Sequence, residues 1–106
     1  MPQFDVFTNE NPATRARAPY LVDVQSELLE ELATRVVVPL VPAGKDALLA
    51  PMTRLMPVFE LEGCRFTFVT PQLAGVPRAV LGSRVASLAS SRHEIVAALD
   101  LLISGV

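Results

Sequence analysis

The apolar positions of this chain change their period several times. Gln3–Thr8 alternates, with Phe4, Val6 and Thr8 on one face and Asp5 and Phe7 on the other, the signature of a strand. Tyr20–Gln25 alternates in the same way, Tyr20, Val22 and Val24 opposing Leu21, Asp23 and Gln25. Arg35–Val41 is β-branched and apolar along its length, the composition of a strand buried on both faces. Between these runs, Asn9–Pro19 collects Asn, Glu, Pro, Thr and two Arg and is predicted to be a loop. Ser26–Thr34 is short and acidic, a turn or a single helical turn. Pro42–Leu55 is a long connection with helix-tolerant residues over Asp46–Ala50.

Met56–Thr70 reads as a hairpin around Glu62-Gly63, a two-residue turn signal. That register sets Leu61 opposite Cys64, Glu60 opposite Arg65 and Phe59 opposite Phe66. An opposite-charge pair and an aromatic pair coincide, each worth roughly 0.2–1 kcal/mol. The turn should be of type I′. Val76–Leu81 reads as one more strand, closed by Gly82. The period then lengthens to that of a helix: Ile95, Leu99, Leu102 and Ile103 share one face, and Arg92, Val96 and Asp100 lie on others. Ser91-Arg92-His93-Glu94 fits a capping box, and Gly105 stands where a glycine commonly ends a helix. The pattern predicts an antiparallel β-sheet or partly open barrel with one C-terminal helix.

Composition sharpens this picture. At 106 residues the chain is one domain, residues 1–106, and too short for a two-domain cofactor enzyme. Hydrophobic residues make up 51% and charged residues 19%, which excludes disorder. Mean hydropathy is +0.42, yet no stretch reaches the roughly 18 apolar residues of a membrane span. So much apolar content in a small domain points to a partner that covers some of it. Nine Lys and Arg against eleven Asp and Glu give a net charge of −2, which disfavours stable nucleic-acid binding. One cysteine excludes a disulfide framework or thiolate metal site within the chain. Met1–Asp5 lacks the basic and apolar regions of a signal peptide, so the expected location is cytoplasmic.

Candidate chemistry is sparse. His93, the single histidine, falls in the first turn of the predicted helix and reads as an exposed helix residue, not a catalytic base. Cys64 beside the hairpin turn reads as a small packing residue. Glu27, Glu30 and Glu31 offer paired carboxylates but no environment that would perturb them. They surround Leu28 and Leu29, and an exposed leucine pair in an acidic turn points to an interface. Arg15 and Arg17 in the first loop can hold an acidic partner, or lie free in solvent. There is no phosphate loop, metal-ligand spacing or nucleophile with a base. No cofactor is expected.

Tyr20-Leu21-Val22-Asp23-Val24-Gln25-Ser26 resembles the aromatic-x-Val-Asp-Val-Gln-Ser strand of the CcdB toxins, the DNA-gyrase poisons of toxin–antitoxin modules. Gln3-Phe4-Asp5-Val6-Phe7-Thr8 is similar to that family's first strand. Arg35-Val36-Val37-Val38-Pro39-Leu40 is similar to its Arg-x-Val-x-Pro-Leu strand. Pro57-Val58, Ala74-Gly75-Val76-Pro77 and Val80-Leu81-Gly82 follow in the family's order. Ser104-Gly105-Val106 falls on its Trp-Gly-Ile terminus, so that Ser104 stands where the family has tryptophan. The resemblance spans Gln3–Val106.

The resemblance implies an SH3-like β-fold with a five-stranded sheet, a small second sheet and a C-terminal helix. It implies a non-enzymatic toxin that binds the gyrase A subunit, traps the cleaved-DNA complex and is neutralised by a cognate antitoxin. Carried over by position, the gyrase-binding residues are Leu28, Leu29, Glu30, Asp100, Ser104, Gly105 and Val106. Val22, Val24, Leu99, Leu102 and Ile103 form the implied homodimer interface, and Arg15 and Arg17 meet the antitoxin. Asp23 takes a structural hydrogen-bonding role. Two other readings use the same fold: a weakened, retargeted or inert protein-binding module, and a MazF/Kid-like endoribonuclease, which would need a basic groove.

Overall fold

The computed structural model describes residues 2–29, 31–44 and 54–105. Among the described residues seven strands, β1 (Asp5–Asn9), β2 (Tyr20–Asp23), β3 (Thr34–Pro42), β4 (Val58–Leu61), β5 (Cys64–Phe68), β6 (Ala74–Pro77) and β7 (Leu81–Ser87), precede one α-helix, α1 (Arg92–Ser104). All pairings are antiparallel. Strand β3 is the hub. Its first half pairs with β6, its second half with β5, and β2 runs along its other edge. A five-stranded portion, β6-β3-β2-β1-β7, therefore shares β3 with a three-stranded portion, β3-β5-β4. The expected small second sheet is present but not separate: it is continuous with the larger one through β3. The result is a curled, SH3-like half-barrel with a C-terminal helix.

Alternation along the strands builds two cores. Phe4, Val6, Val22, Val38, Leu40, Phe66 and Phe68 pack on one face with Ile95 of α1. Phe7, Leu21, Val37 and Leu81 pack on the other. An edge-to-face pair of Tyr20 with Phe66, 5.2 Å between ring centroids, ties the hairpin to β2, and a second, Phe59 with Phe68 at 5.8 Å, braces the hairpin's own two strands. The hairpin has the expected register, Leu61–Cys64, Glu60–Arg65 and Phe59–Phe66. Glu62 and Gly63 have φ of 51° and 81°, and positive φ at both central residues is the mark of a type I′ turn. Cys64 is exposed, not packed: it shares the face of the buried Phe66 and Phe68 but stands at the first position of β5, beside the turn, beyond the covered part of that face.

Three expectations need correction. Val76–Leu81 is not one strand: β6 ends at Pro77, Arg78–Val80 forms a 3-10 turn, and β7 starts at Leu81. Gly82 lies inside β7, where β1 approaches so closely that a side chain would collide with the Thr8 hydroxyl and with Glu10. The capping box does not form. A 3-10 turn over Ala89–Ser91 leads into the helix, Ser91 has φ −102° and ψ 20°, and its hydroxyl makes no cap hydrogen bond. The helix is entered by continuing a turn, so a serine cap is not needed. Val96 packs half-buried against the first core, whereas Ile103 is 81% exposed. The packed face of α1 is thus rotated toward Ile95 and Ala98, away from the face centred on Ile103. Gly105 does end the helix in the left-handed region, φ 74°, its N–H donating to the Leu101 carbonyl at 3.0 Å. The helix-tolerant stretch Asp46–Ala50 lies outside the described residues.

Candidate functional site

Three exposed leucines, including the most exposed large apolar side chain among the described residues, cluster in the segment between β2 and β3. Glu27–Leu29 is a single 3-10 turn. Leu28 is 94% exposed, and Leu29 and Leu32 are each 50% exposed. Sequence reasoning missed Leu32. Its spacing three residues after Leu29 was the available signal.

Buried polar residues hold this turn in place. The Asp23 carboxylate accepts the Gln25 N–H through Oδ1 at 3.0 Å and Arg35 Nε through Oδ2 at 2.9 Å. Arg35 Nη2 lies 2.7 Å from that same oxygen as an ion pair, and both side chains have no exposed surface. Burial pushes the Asp23 carboxyl up from its ordinary value, and the bonds from Arg35 and the Gln25 amide oppose that rise. Gln25, also buried, turns its side chain the other way. Its Nε2 donates to the Leu29 carbonyl at 2.7 Å, and its Oε1 accepts the Val36 N–H at 2.9 Å. The Ser26 hydroxyl accepts the Leu28 N–H at 3.2 Å, and Arg78 Nε donates to the Leu32 carbonyl at 3.0 Å. The Asp-x-Gln-Ser motif is therefore a scaffold: its polar atoms satisfy the backbone of a turn that points its leucines at solvent.

Gln3 links this turn to the helix. Its N–H donates to the Glu27 carboxylate at 3.1 Å, and its side chain donates to the Val24 carbonyl at 3.1 Å. Arg92 Nη1 donates back to Gln3 Oε1 at 3.1 Å, and the Arg92 guanidinium lies over the Phe4 ring at 5.4 Å. These bonds reach the first residue of α1. Asp100 and Ser104 stand toward its far end, about 12 and 18 Å on at 1.5 Å per residue.

Asp100, Ser104 and Gly105 are all exposed. The Ser104 hydroxyl donates to the Asp100 carbonyl at 2.7 Å, so it is turned back onto its own helix. Leu102 is 37% exposed and Leu99 is half-buried. Val22 and Val24, assigned to a dimer interface by position, are 0% and 8% exposed and belong to the core of the single chain. The strand alternation that buries them leaves no side-chain surface for a second copy. Arg15 is exposed, and Arg17 donates through Nη1 to Gln72 Oε1 at 3.0 Å. Glu30 and Val106 lie outside the described residues. His93 is exposed, as expected for a helix residue.

Among the described residues no group of three or more His, Cys, Asp or Glu is placed to hold a metal ion, and no helix is long and apolar enough to cross a membrane. The chain matches the family model described as CcdB protein over residues 3–105. That match spans nearly every residue and takes in both the Asp23–Ser26 scaffold and the helix end, and the chain belongs to the CcdB family.

Proposed function

We propose that this chain is the toxin of a type II toxin–antitoxin module, that it binds the gyrase A subunit and traps the cleaved-DNA complex, and that a cognate antitoxin neutralises it. The observation that carries this reading is the preorganised leucine turn. Three leucines at least half exposed are held out by hydrogen bonds from Asp23, Gln25, Ser26 and Arg78. Full burial of one leucine is worth roughly 1.5–3 kcal/mol. A turn already fixed in its bound shape loses little entropy on docking. A binder that favours the cleaved, open conformation of gyrase shifts the enzyme into that state without chemistry of its own.

The second half of the surface is the helix end, with Asp100, Ser104 and Gly105 in solvent. Leu102 and Ile103, exposed on the same segment, provide the apolar area for a homodimer. Arg15 and Arg17 supply positive charge for the antitoxin. The inward-turned Ser104 hydroxyl favours a second reading, a retargeted member that meets its partner through the leucine turn.

The test is a cleavage assay with purified gyrase, supercoiled plasmid, ATP and increasing protein. Linear DNA released by denaturant and protease supports poisoning. Binding to the gyrase A domain without linear DNA supports a weakened member, and absence of binding removes gyrase as the target and supports the retargeted reading.

A further inference from the structure

Phe4 holds a backbone conformation that bulky residues rarely adopt. Its φ is 71°, in the left-handed region, while its side chain is buried in the first core. Strain of this kind persists only where the surroundings over-determine it, and it gathers at functional sites. Two bonds fix it here. The Phe4 N–H donates to the Asp23 carbonyl at 2.6 Å, and the Phe4 carbonyl accepts the Leu88 N–H at 2.8 Å. One bond runs to the base of the leucine turn, the other to the segment that leads into α1. Gln3 and Phe4 thus form a strap between turn and helix. Gln3 extends it on both sides, to Val24 and Glu27 at the turn and to Arg92 at the helix.

Arg92 sits where its charge is locally unfavourable. It is the first residue of α1, and a cation there opposes the helix dipole, whereas Glu94 in the same turn complements it. A local rule broken without a local gain marks a role elsewhere. The contacts of Arg92 give that role. Nη1 donates to Gln3 Oε1 at 3.1 Å, and the guanidinium lies over the Phe4 ring at 5.4 Å. Both partners belong to the strap and neither to α1.

We propose that Arg92 is a positioning residue for the leucine turn: it clamps the Gln3–Phe4 strap from α1 and so fixes the direction in which Leu28 and Leu29 face. The mechanism stands on the strap, and its consequence for a partner rests on the gyrase reading. With Oε1 held by Arg92, the Gln3 amide keeps its Nε2 on the Val24 carbonyl and its main-chain N–H on the Glu27 carboxylate, at the first residue of the turn. Without the clamp, the strain at Phe4 meets fewer opposing contacts, and the strap relaxes and loosens Glu27. A side chain that has to be ordered on docking weakens association about two- to tenfold.

The test is amide relaxation NMR on the full chain, with and without Arg92→Met. In the variant the order parameters of Glu27, Leu28 and Leu29 should fall from about 0.85 toward about 0.6, while those of α1 stay in place. The melting temperature should stay near that of the parent, because a charge that opposed the helix dipole is gone. Arg92→Lys, which keeps a donor and a cation, should restore most of the order. Gln3→Met should loosen the same three residues, and adding Arg92→Met to it should loosen them no further. Unchanged order in Arg92→Met overturns the proposal, as does a loss shared equally by α1 or a double variant that shows the sum of both effects. In a titration with the gyrase A domain, Arg92→Met should bind about two- to tenfold more weakly than the parent, and equal affinity also overturns the proposal. A parent chain that does not bind refutes the gyrase reading instead, and the relaxation result then decides the clamp by itself.

Discussion

Asp23 and Arg35 place two opposite charges where neither touches solvent. Arg35 Nη1 is buried with no hydrogen-bond partner among the described residues, so the pair is not a fully satisfied network. Such a pair contributes little net stability, but removing one partner strands the other charge, at about 3–5 kcal/mol. Arg35→Met should cost that much in urea denaturation. Adding Asp23→Leu should recover stability relative to Arg35→Met alone. If the double variant is less stable than the single one, Asp23 holds the fold through Gln25 more than through Arg35. Ser104 presents the opposite situation, a residue whose present contact contributes nothing outside its own helix. Ser104→Trp, at an exposed helix end, should strengthen binding to the gyrase A domain. One cation–π contact is worth roughly 0.5–2 kcal/mol, and two across a homodimer give roughly a five- to several-hundred-fold change in the dissociation constant. Equal affinity of two folded proteins would show that the helix end is not a stacking site.

Among the elements, the β4–β5 hairpin makes the sharpest demand on its residues. Gly63 has φ 81°, where an alanine is strained by about 1–2 kcal/mol. Gly63→Ala should lower stability by that amount, and Glu62→Asn, at φ 51°, should raise it. Chemical denaturation of both variants checks the pair, and an unchanged Gly63→Ala would contradict the turn type. This hairpin was legible in the sequence because local signals converged: a turn dipeptide, a charge pair and an aromatic pair demand one register. The strands β1, β2 and β3 were legible because burial on one or both faces leaves a periodic trace. Strand β7 was not. It is an edge strand, mostly half-buried or exposed, whose Ser83, Arg84 and Ser87 carry no apolar period. Its Gly82 reads as a terminator when the close approach of the Thr8 and Glu10 side chains is unknown. The leucine turn was legible from Leu28 and Leu29 among acids. Its support by Gln25 was not, because a buried glutamine bonding the carbonyl of Leu29 on one side and the amide of Val36, eleven residues on, on the other leaves no mark on spacing.

For the whole molecule, Leu102 and Ile103 stand in solvent on a helix whose other side is packed against the sheet. The proposed homodimer, by covering them, would account for the apolar surplus of the composition. Sedimentation at micromolar concentration should give a dimer, and Ile103→Asp should give a folded monomer. A monomeric parent chain would contradict this assembly.

The central claim is that the leucine turn grips the gyrase A subunit. Isothermal titration of the gyrase A domain with the parent chain and with Leu28→Ala/Leu29→Ala tests it most directly. Both side chains are solvent-exposed, so the double variant should retain its thermal melting temperature. The account predicts measurable binding by the parent chain and a loss of at least about 40-fold in the variant: burial of an exposed leucine is worth roughly 1.5–3 kcal/mol, and Leu29, 50% exposed, adds about half as much as Leu28. Binding by the parent chain that survives the double substitution within about threefold, or no binding by the parent chain at all, would contradict it.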